Sequence, residues 1–152
     1  MAKVELKKLF KTYNKKIRAL EDINLTIEDG QFFVLLGPSG AGKTTTLRCI
    51  AGLEKIDSGD VLFNDENITN DQPASRDVTF VFQQYSLYPH YTVYENLAFP
   101  LRSPMRKLPE EEIKNKVEKI AEMLKITNKL QNKATQLSGG EMQRVAIGRA
   151  LV

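Results

Sequence analysis

Glycine, lysine and threonine residues capable of phosphate chemistry stand together in the stretch GPSGAGKTTT, which begins at residue 37. Glycines allow successive backbone N–H groups to converge on one anion without collisions between Cβ atoms. A lysine adds a full positive charge between the β- and γ-phosphates, and a threonine hydroxyl is a hard oxygen ligand for Mg²⁺. The spacing of Gly37, Gly42, Lys43 and Thr44 matches G-x-x-x-x-G-K-[ST], the phosphate-binding P-loop.

The P-loop pattern predicts which residues contact the phosphates of a nucleoside triphosphate. The helix that should follow the loop adds unpaired N–H groups and the positive end of a helix dipole. The residues predicted to bind the nucleotide are Gly37, Pro38, Ser39, Gly40, Ala41, Gly42, Lys43, Thr44 and Thr45.

A second anion-seeking pattern lies near the end of the sequence, at Ser138, Gly139, Gly140 and Glu141. A serine followed three positions later by a glutamate has the spacing of a capping box, which marks the start of a helix. The two glycines leave the first-turn N–H groups bare, so this helix could also receive a phosphate. Taken alone, the same residues favour an ordinary capped helix, and it is the P-loop upstream that favours a phosphate-binding role.

Secondary-structure elements must position these residues. The apolar run at residues 32–36 predicts a strand buried on both faces, and a helix should follow the loop from Thr44 to Ala51. Further strands are expected near residues 4–9, 18–27, 61–64 and 78–82. After Gln84 the pattern becomes helical, with a capping box at residues 92–95 and Pro109 expected at the first position of a helix.

Apolar positions in the helical part predict packing and not a partner site. Ile113, Val117, Ile120 and Leu124 recur at helical spacing and should form one buried stripe. The single cysteine, Cys49, lies among apolar residues, so we expect a buried core thiol and no disulfide.

Composition limits the possible classes of function. The chain has 152 residues with 41% apolar and 27% charged residues, as in a globular domain. Lys and Arg exceed Asp and Glu by three, and this excess is spread along the chain, so we predict no nucleic-acid partner.

Three motifs together resemble one family. The stretch LSGGEMQRVAIGRA at residues 137–150 resembles the signature motif of the ATP-binding cassette family, and VFQQYSLYPHYTVYENLAFPL at residues 81–101 resembles its Q-loop. The order of the motifs is also that of the family: P-loop, Q-loop, helical insertion and signature. The Q-loop sequence is similar to that of importer ATPases for sugars and related solutes. The resemblance implies an α/β fold with a RecA-like P-loop NTPase core, an antiparallel β subdomain and a helical subdomain.

The resemblance also implies cofactors and residue roles. ATP and Mg²⁺ would bind at the P-loop, with Lys43 on the phosphates and with Thr44 and Gln83 as metal ligands. Gln83 would orient the attacking water, although Gln84 is a rival for that place. Tyr13, in the turn after the first strand, would stack on adenine. The signature residues Ser138, Gly139, Gly140 and Glu141 would close on the nucleotide of a second ATPase domain, in a head-to-tail dimer.

The family's partners follow from the same resemblance. The aromatic-rich residues 85–99 would line the groove that receives transmembrane permease subunits, although core packing explains some of these aromatics. A solute-binding protein would be an indirect partner. The protein would then be peripheral, at the cytoplasmic face of the cell membrane.

Part of the hydrolytic apparatus of the family is not recognisable in the sequence. We find no run of four apolar residues followed by Asp-Glu; the nearest, at residues 61–65, precedes the Q-loop and contains Asn64. His90 lies in the Q-loop segment and does not match the switch histidine. We therefore expect the N-terminal part of a longer ATPase, with a core part at residues 1–86 and a helical part at residues 87–152. A cassette ATPase outside transport and a nucleotide-binding fragment without turnover are the alternatives.

Overall fold

The computed structural model describes residues 2–104, 106 and 108–152. The described chain forms two compact units, the first ending at Val78 and the second comprising Thr79–Val152. The domain boundary that we expect after residue 86 stays a prediction.

The first unit contains a four-stranded antiparallel sheet. Its strands are β1 (Val4–Tyr13), β2 (Ile17–Ile27), β3 (Ser58–Phe63) and β4 (Glu66–Asn67), in the order β2-β1-β3-β4. Apolar residues at alternate or near-alternate positions of these strands turn to one side, which is why the sheet can cover a core. β1, β2 and β3 lie where the sequence predicts strands, and β1 is longer than predicted; β4 lies in a stretch for which no strand is predicted.

Among the described residues of the first unit, the sheet is accompanied by one α-helix, α1 (Lys43–Ile50), and a short 3-10 helix at Pro73–Ser75. The core of this unit consists of Leu6, Leu9, Leu20, Cys49, Val61 and Ile68. Burial raises the pKa of the Cys49 thiol to about 11, which keeps it protonated and unreactive at neutral pH. The prediction of a buried core thiol is confirmed.

Two predicted strands are not formed. Residues 32–36 and 78–82 lie outside every strand of the described chain, and Phe32 is 92% exposed and Leu36 89% exposed. The prediction of a buried strand at residues 32–36 is therefore wrong for this structure. A strand is held by a hydrogen-bonded neighbour, and the described part of the chain pairs no strand with either segment.

The second unit is helical. It contains α2 (Val93–Ala98), α3 (Glu110–Met123) and α4 (Gly139–Leu151), with short 3-10 helices at Thr127–Lys129 and Ala134–Gln136. Its core is formed by Val93, Leu97, Ala98, Leu101, Ile113, Val117, Ala121, Ile126, Leu137 and Val145.

Helix starts follow the sequence closely. Thr92 and Ser138 form the capping boxes that begin α2 and α4, as predicted. Pro109 is the N-cap of α3 and not its first helical residue, because its ψ of 149° is extended. The predicted apolar stripe of α3 packs into the core, with Ile113 and Val117 fully buried.

Candidate nucleotide-binding site

The P-loop leads directly into α1, and its last glycine is required by both conformation and space. Gly42 has a φ of +82°, a region that side chains rarely adopt. A Cβ at this position would collide with the backbone oxygen of Ala19 and lie 2.9 Å from Leu20 Cδ2. Gly40 has the same φ but faces open space, so only the backbone conformation favours glycine there.

The ammonium group of Lys43 is held by the loop itself. Its Nζ donates to the carbonyl oxygen of Gly37 at 2.8 Å and to that of Pro38 at 2.7 Å. An ammonium group has three donors, so one remains after these two bonds. The loop thus holds a positive charge in a fixed position, where it can pair with a polyphosphate.

The beginning of α1 adds backbone donors next to that charge. The amides of Lys43, Thr44 and Thr45 belong to the first turn and have no partner within the helix. Within the described chain no side chain caps this helix start, and its first turn carries no carboxylate. These features fit a phosphate group, since the amides and the helix dipole both favour an anion.

The threonines of α1 differ in what their hydroxyls can do. Thr46 is buried and donates its hydroxyl to the carbonyl oxygen of Gly42 at 3.0 Å, so it is committed to the backbone. Thr44 is exposed beside the loop and fits the role of a magnesium ligand. The described residues contain no group of three or more His, Cys, Asp or Glu side chains that could hold a metal by themselves.

The predicted adenine-stacking residue, Tyr13, is the last residue of β1 and not part of the following turn. The ammonium group of Lys11 lies 5.2 Å from the centre of its ring. Lys11 is buried and pairs with Glu54 at 2.8 Å, so the cation beside the Tyr13 ring is itself held by an ion pair.

The signature residues lie at the start of α4, in the second unit. Ser138 Oγ accepts a hydrogen bond from the Glu141 amide, and Glu141 Oε2 accepts from the Ser138 amide at 2.8 Å. Lys129 pairs with the other oxygen of Glu141 at 3.1 Å. The bonds from Ser138 and Lys129 lower the pKa of Glu141 to about 2. Gly139 and Gly140 are exposed in the first turn, with open space where a Cβ of Gly139 would be.

Gln83 and the aromatic segment also belong to the second unit. Gln83 is exposed, and Tyr85 and Ser86 after it have φ values of 60° and 49°, unusual for residues other than glycine. Because Thr44 is in the first unit and Gln83 in the second, their joint role as ligands of Mg²⁺ stays a prediction.

The aromatic residues at positions 85–99 form an accessible patch, as the sequence predicts. Tyr88, Tyr91 and Phe99 are exposed, and their rings form tilted pairs with ring centres 4.7 to 6.3 Å apart. Tyr85 and Tyr94 are partly exposed, and Tyr94 also packs against the core of the second unit, so core packing accounts for part of this one aromatic. A cavity of 530 Å³ next to the patch is lined by residues that include Tyr91, Glu95, Phe99 and Arg102.

Two residues that support the patch were missed by the sequence interpretation. Asn96 is fully buried and bonds to the amide of Tyr88 at 2.9 Å and to the carbonyl oxygen of Thr92 at 3.0 Å. Arg149 donates to the carbonyl oxygen of Ser86 at 2.6 Å, and its guanidinium lies 4.9 Å from the centre of the Tyr88 ring. A polar Asn on the apolar face of a predicted helix was the available signal for Asn96. Arg149 carried no such local signal.

Comparison with known proteins determines the family of this chain. The sequence model of the ABC transporter family matches residues 20–152. The chain belongs to the ABC transporter family. Its fold is accordingly the P-loop ATPase fold of that family, with an antiparallel β subdomain and helices, as the sequence predicts.

The chain is also similar over its whole length to curated ATP-binding proteins. It is 48% identical to the sn-glycerol-3-phosphate import ATP-binding protein of Bartonella bacilliformis and covers 44% of that protein. It is 47% identical to the oligosaccharides import ATP-binding protein of Bacillus subtilis and covers 41% of it. It is 49% identical to the trehalose import ATP-binding protein of Mycobacterium tuberculosis and covers 38%. The chain therefore spans less than half the length of these relatives.

Solved structures of ABC cassettes resemble the chain in three dimensions. The dimeric structure of MJ0796, a bacterial ABC transporter cassette, has a TM-score of 0.87 and 35% identity, over 97% of this chain and 68% of that one. The structure of cbiO1 from Clostridium perfringens, part of an ABC transporter complex, has a TM-score of 0.84 and 28% identity, over 97% and 60% of the respective chains. Among the helices that the structure describes, none has the length and apolar character to cross a membrane.

Proposed function

We propose that this chain is part of the ATP-binding subunit of an ABC importer that couples ATP binding and hydrolysis to the transport of a solute, namely a sugar or a related compound. The observation that carries the proposal is the P-loop, in which Lys43 is held by two loop carbonyls beside the uncapped start of α1. The solute class rests on the relatives, whose names specify glycerol-3-phosphate, oligosaccharide and trehalose import.

The proposed nucleotide complex combines residues of the P-loop with Gln83. The γ-phosphate and β-phosphate would lie against Lys43 and the amides of residues 39–44, and Mg²⁺ would bind the Thr44 hydroxyl and the Gln83 amide oxygen. The chemistry of the donors supports this assignment, because Thr44 is accessible whereas the Thr46 hydroxyl is engaged by the backbone. Tyr13 would stack on the base.

Two further surfaces belong to the proposal. The start of α4, with Ser138, Gly139 and Gly140, would contact the γ-phosphate bound by a second ATPase domain in a head-to-tail dimer. The exposed aromatic patch would receive a permease subunit, since aromatic side chains in contact with one another beside a cavity are suited to burying a short helix. The subunit would then be peripheral at the cytoplasmic face of the membrane.

Calorimetric titration of the chain with ATP and Mg²⁺ tests the nucleotide site. We expect Lys43→Ala to weaken ATP binding at least tenfold, because it removes the charge that the loop encloses. Lys15→Ala, which removes an exposed lysine outside the loop, is the matched control and should bind like the unmodified chain. Equal affinity for ATP in the unmodified chain and in Lys43→Ala would refute a P-loop site.

A nucleotide-binding chain without turnover is the second candidate, and the absence of a recognisable catalytic Asp-Glu motif in the printed sequence favours it. If it applies to this chain by itself, phosphate release should stay near the background rate even where ATP binds. A rate of about 1 s⁻¹ or more, in the usual enzyme range, would contradict this second candidate and show that a catalytic carboxylate is present.

A further inference from the structure

Lys11, in the first unit, is a buried lysine that lies outside the P-loop. Its side chain is 11% exposed, and its ammonium group donates to the carbonyl oxygen of Lys55 at 2.6 Å and pairs with Glu54 at 2.8 Å. The remaining direction faces the ring of Tyr13, whose centre is 5.2 Å away. Burying a lysine is costly unless its charge is paired, so this position has a specific arrangement to support it.

The charge of Lys11 persists at neutral pH. The hydrogen bond to Glu54 raises the pKa of Lys11, while burial acts in the opposite direction and is the weaker cause. Conversely, the bond from Lys11 is the largest cause of the lowered pKa of Glu54, and Tyr13 contributes in the same direction. The three side chains therefore form one connected group.

We propose that Lys11 is a positioning residue for the nucleotide base: its ammonium group occupies one face of the Tyr13 ring and leaves the opposite face to stack on a purine. This inference rests on the proposed nucleotide site. The cation is within the 6 Å range of a cation–π contact, which fixes the ring and draws its electron density toward the ammonium group. The opposite face becomes less negative and so a better surface for an electron-rich base. The ring is also ordered before the nucleotide arrives, which reduces the entropy lost on binding.

A base-free ligand separates this role from phosphate binding. Calorimetry of the 152-residue chain with Mg²⁺ and either ATP or inorganic tripolyphosphate gives two affinities for each variant. Lys11→Met should weaken ATP binding about 3- to 10-fold, the range that a desolvated cation–π contact supports, and should leave tripolyphosphate binding within about twofold. Lys11→Arg, which keeps a cation beside the ring, should restore ATP binding.

Lys16→Met is the matched control, because it removes the same charge from an exposed lysine three residues after Tyr13. It should change neither affinity. Glu54→Gln provides a second variant if Lys11→Met fails to fold: it keeps Lys11 but removes its ionic partner, and should again weaken ATP selectively. Circular dichroism checks that each variant is folded.

Three results would overturn the inference: equal losses for ATP and tripolyphosphate, no loss for either, or the same loss in Lys16→Met as in Lys11→Met. Failure of the proposed nucleotide site has a different appearance, since Lys43→Ala would then leave both affinities unchanged. Selective loss of ATP in Lys11→Met, with loss of both ligands in Lys43→Ala, supports both assignments.

Discussion

At the scale of single residues, two glycines of the P-loop are favoured for different physical reasons. Gly40 and Gly42 share a φ of +82°, but only at Gly42 would a Cβ collide with neighbouring backbone. We expect Gly40→Ala to lower the free energy of unfolding by about 1–2 kcal/mol, the cost of a left-handed residue with a Cβ. Gly42→Ala should cost clearly more, because the collision adds to the same strain.

Urea unfolding of the two glycine variants measures this difference, with each serving as the control for the other. If Gly42→Ala were no more destabilising than Gly40→Ala, the space around Ala19 and Leu20 would not constrain the loop. ATP affinity in both variants then shows whether the loop conformation or only its stability has changed.

Glu141 gives the signature segment a defined dependence on pH. Its pKa in the folded chain is about 2, lower than the ordinary value of 4.5, because Ser138 and Lys129 stabilise the carboxylate. A lowered folded-state pKa contributes stability that is complete above about pH 4.5 and is lost as the pH falls toward 2. We therefore expect the free energy of unfolding to fall less steeply between pH 4.5 and 2 in Glu141→Gln than in the unmodified chain.

The measurement is urea unfolding at several pH values across that window. Glu122→Gln, at an exposed position of α3, is the control and should retain the slope of the unmodified chain. A slope in Glu141→Gln identical to that of the unmodified chain would mean that the carboxylate is not held by Ser138 and Lys129 in solution.

At the scale of elements, the contribution of a capping box to stability can be tested directly by substitution. Thr92 Oγ accepts from the Glu95 amide at 3.1 Å, and Glu95 Oε2 accepts from the Thr92 amide at 2.7 Å. Because α2 has only six residues, a lost cap removes much of its local support. Thr92→Ala should lower the free energy of unfolding by about 1 kcal/mol, as typical caps do. Thr127→Ala, at an exposed threonine without a capping bond, should change it by much less. Similar losses in the two variants would remove the capping explanation.

The elements also explain what could be predicted from the sequence. Helix starts were predictable because their signals are local: Ser138 with Glu141, and Thr92 with Glu95, carry their own hydrogen-bond partners. The P-loop was predictable for the same reason, since Gly42 and Lys43 adjoin in sequence. The strand expected at residues 32–36 was not, because apolar character predicts burial but a strand also requires a neighbour that the local sequence does not specify. The pairing of Lys11 with Glu54 could not be predicted either, because these residues are distant in the sequence and come into contact only when the chain folds.

At the scale of the whole molecule, the exposed apolar segment at residues 32–36 leads to a prediction about association in solution. Phe32 and Leu36 expose 92% and 89% of their surface, and Phe33 and Val34 next to them are also exposed. A contiguous apolar segment with free backbone groups favours association with another copy of the chain. We therefore expect sedimentation velocity to show concentration-dependent self-association.

The double variant Phe32→Ser, Leu36→Ser should reduce this association, because it removes the two most exposed apolar side chains of the segment without touching a core residue. Ile17→Ser is the matched control: Ile17 is 62% exposed but stands singly in β2, so its replacement should leave the association unchanged. Sedimentation of the three proteins over the same range of concentrations decides the matter. A monomer at every concentration in the unmodified chain, or equal association in the double variant, would show that residues 32–36 do not mediate contacts between copies. Association that requires ATP and is abolished by Lys43→Ala would instead support the head-to-tail dimer, because only that arrangement shares a nucleotide between two chains.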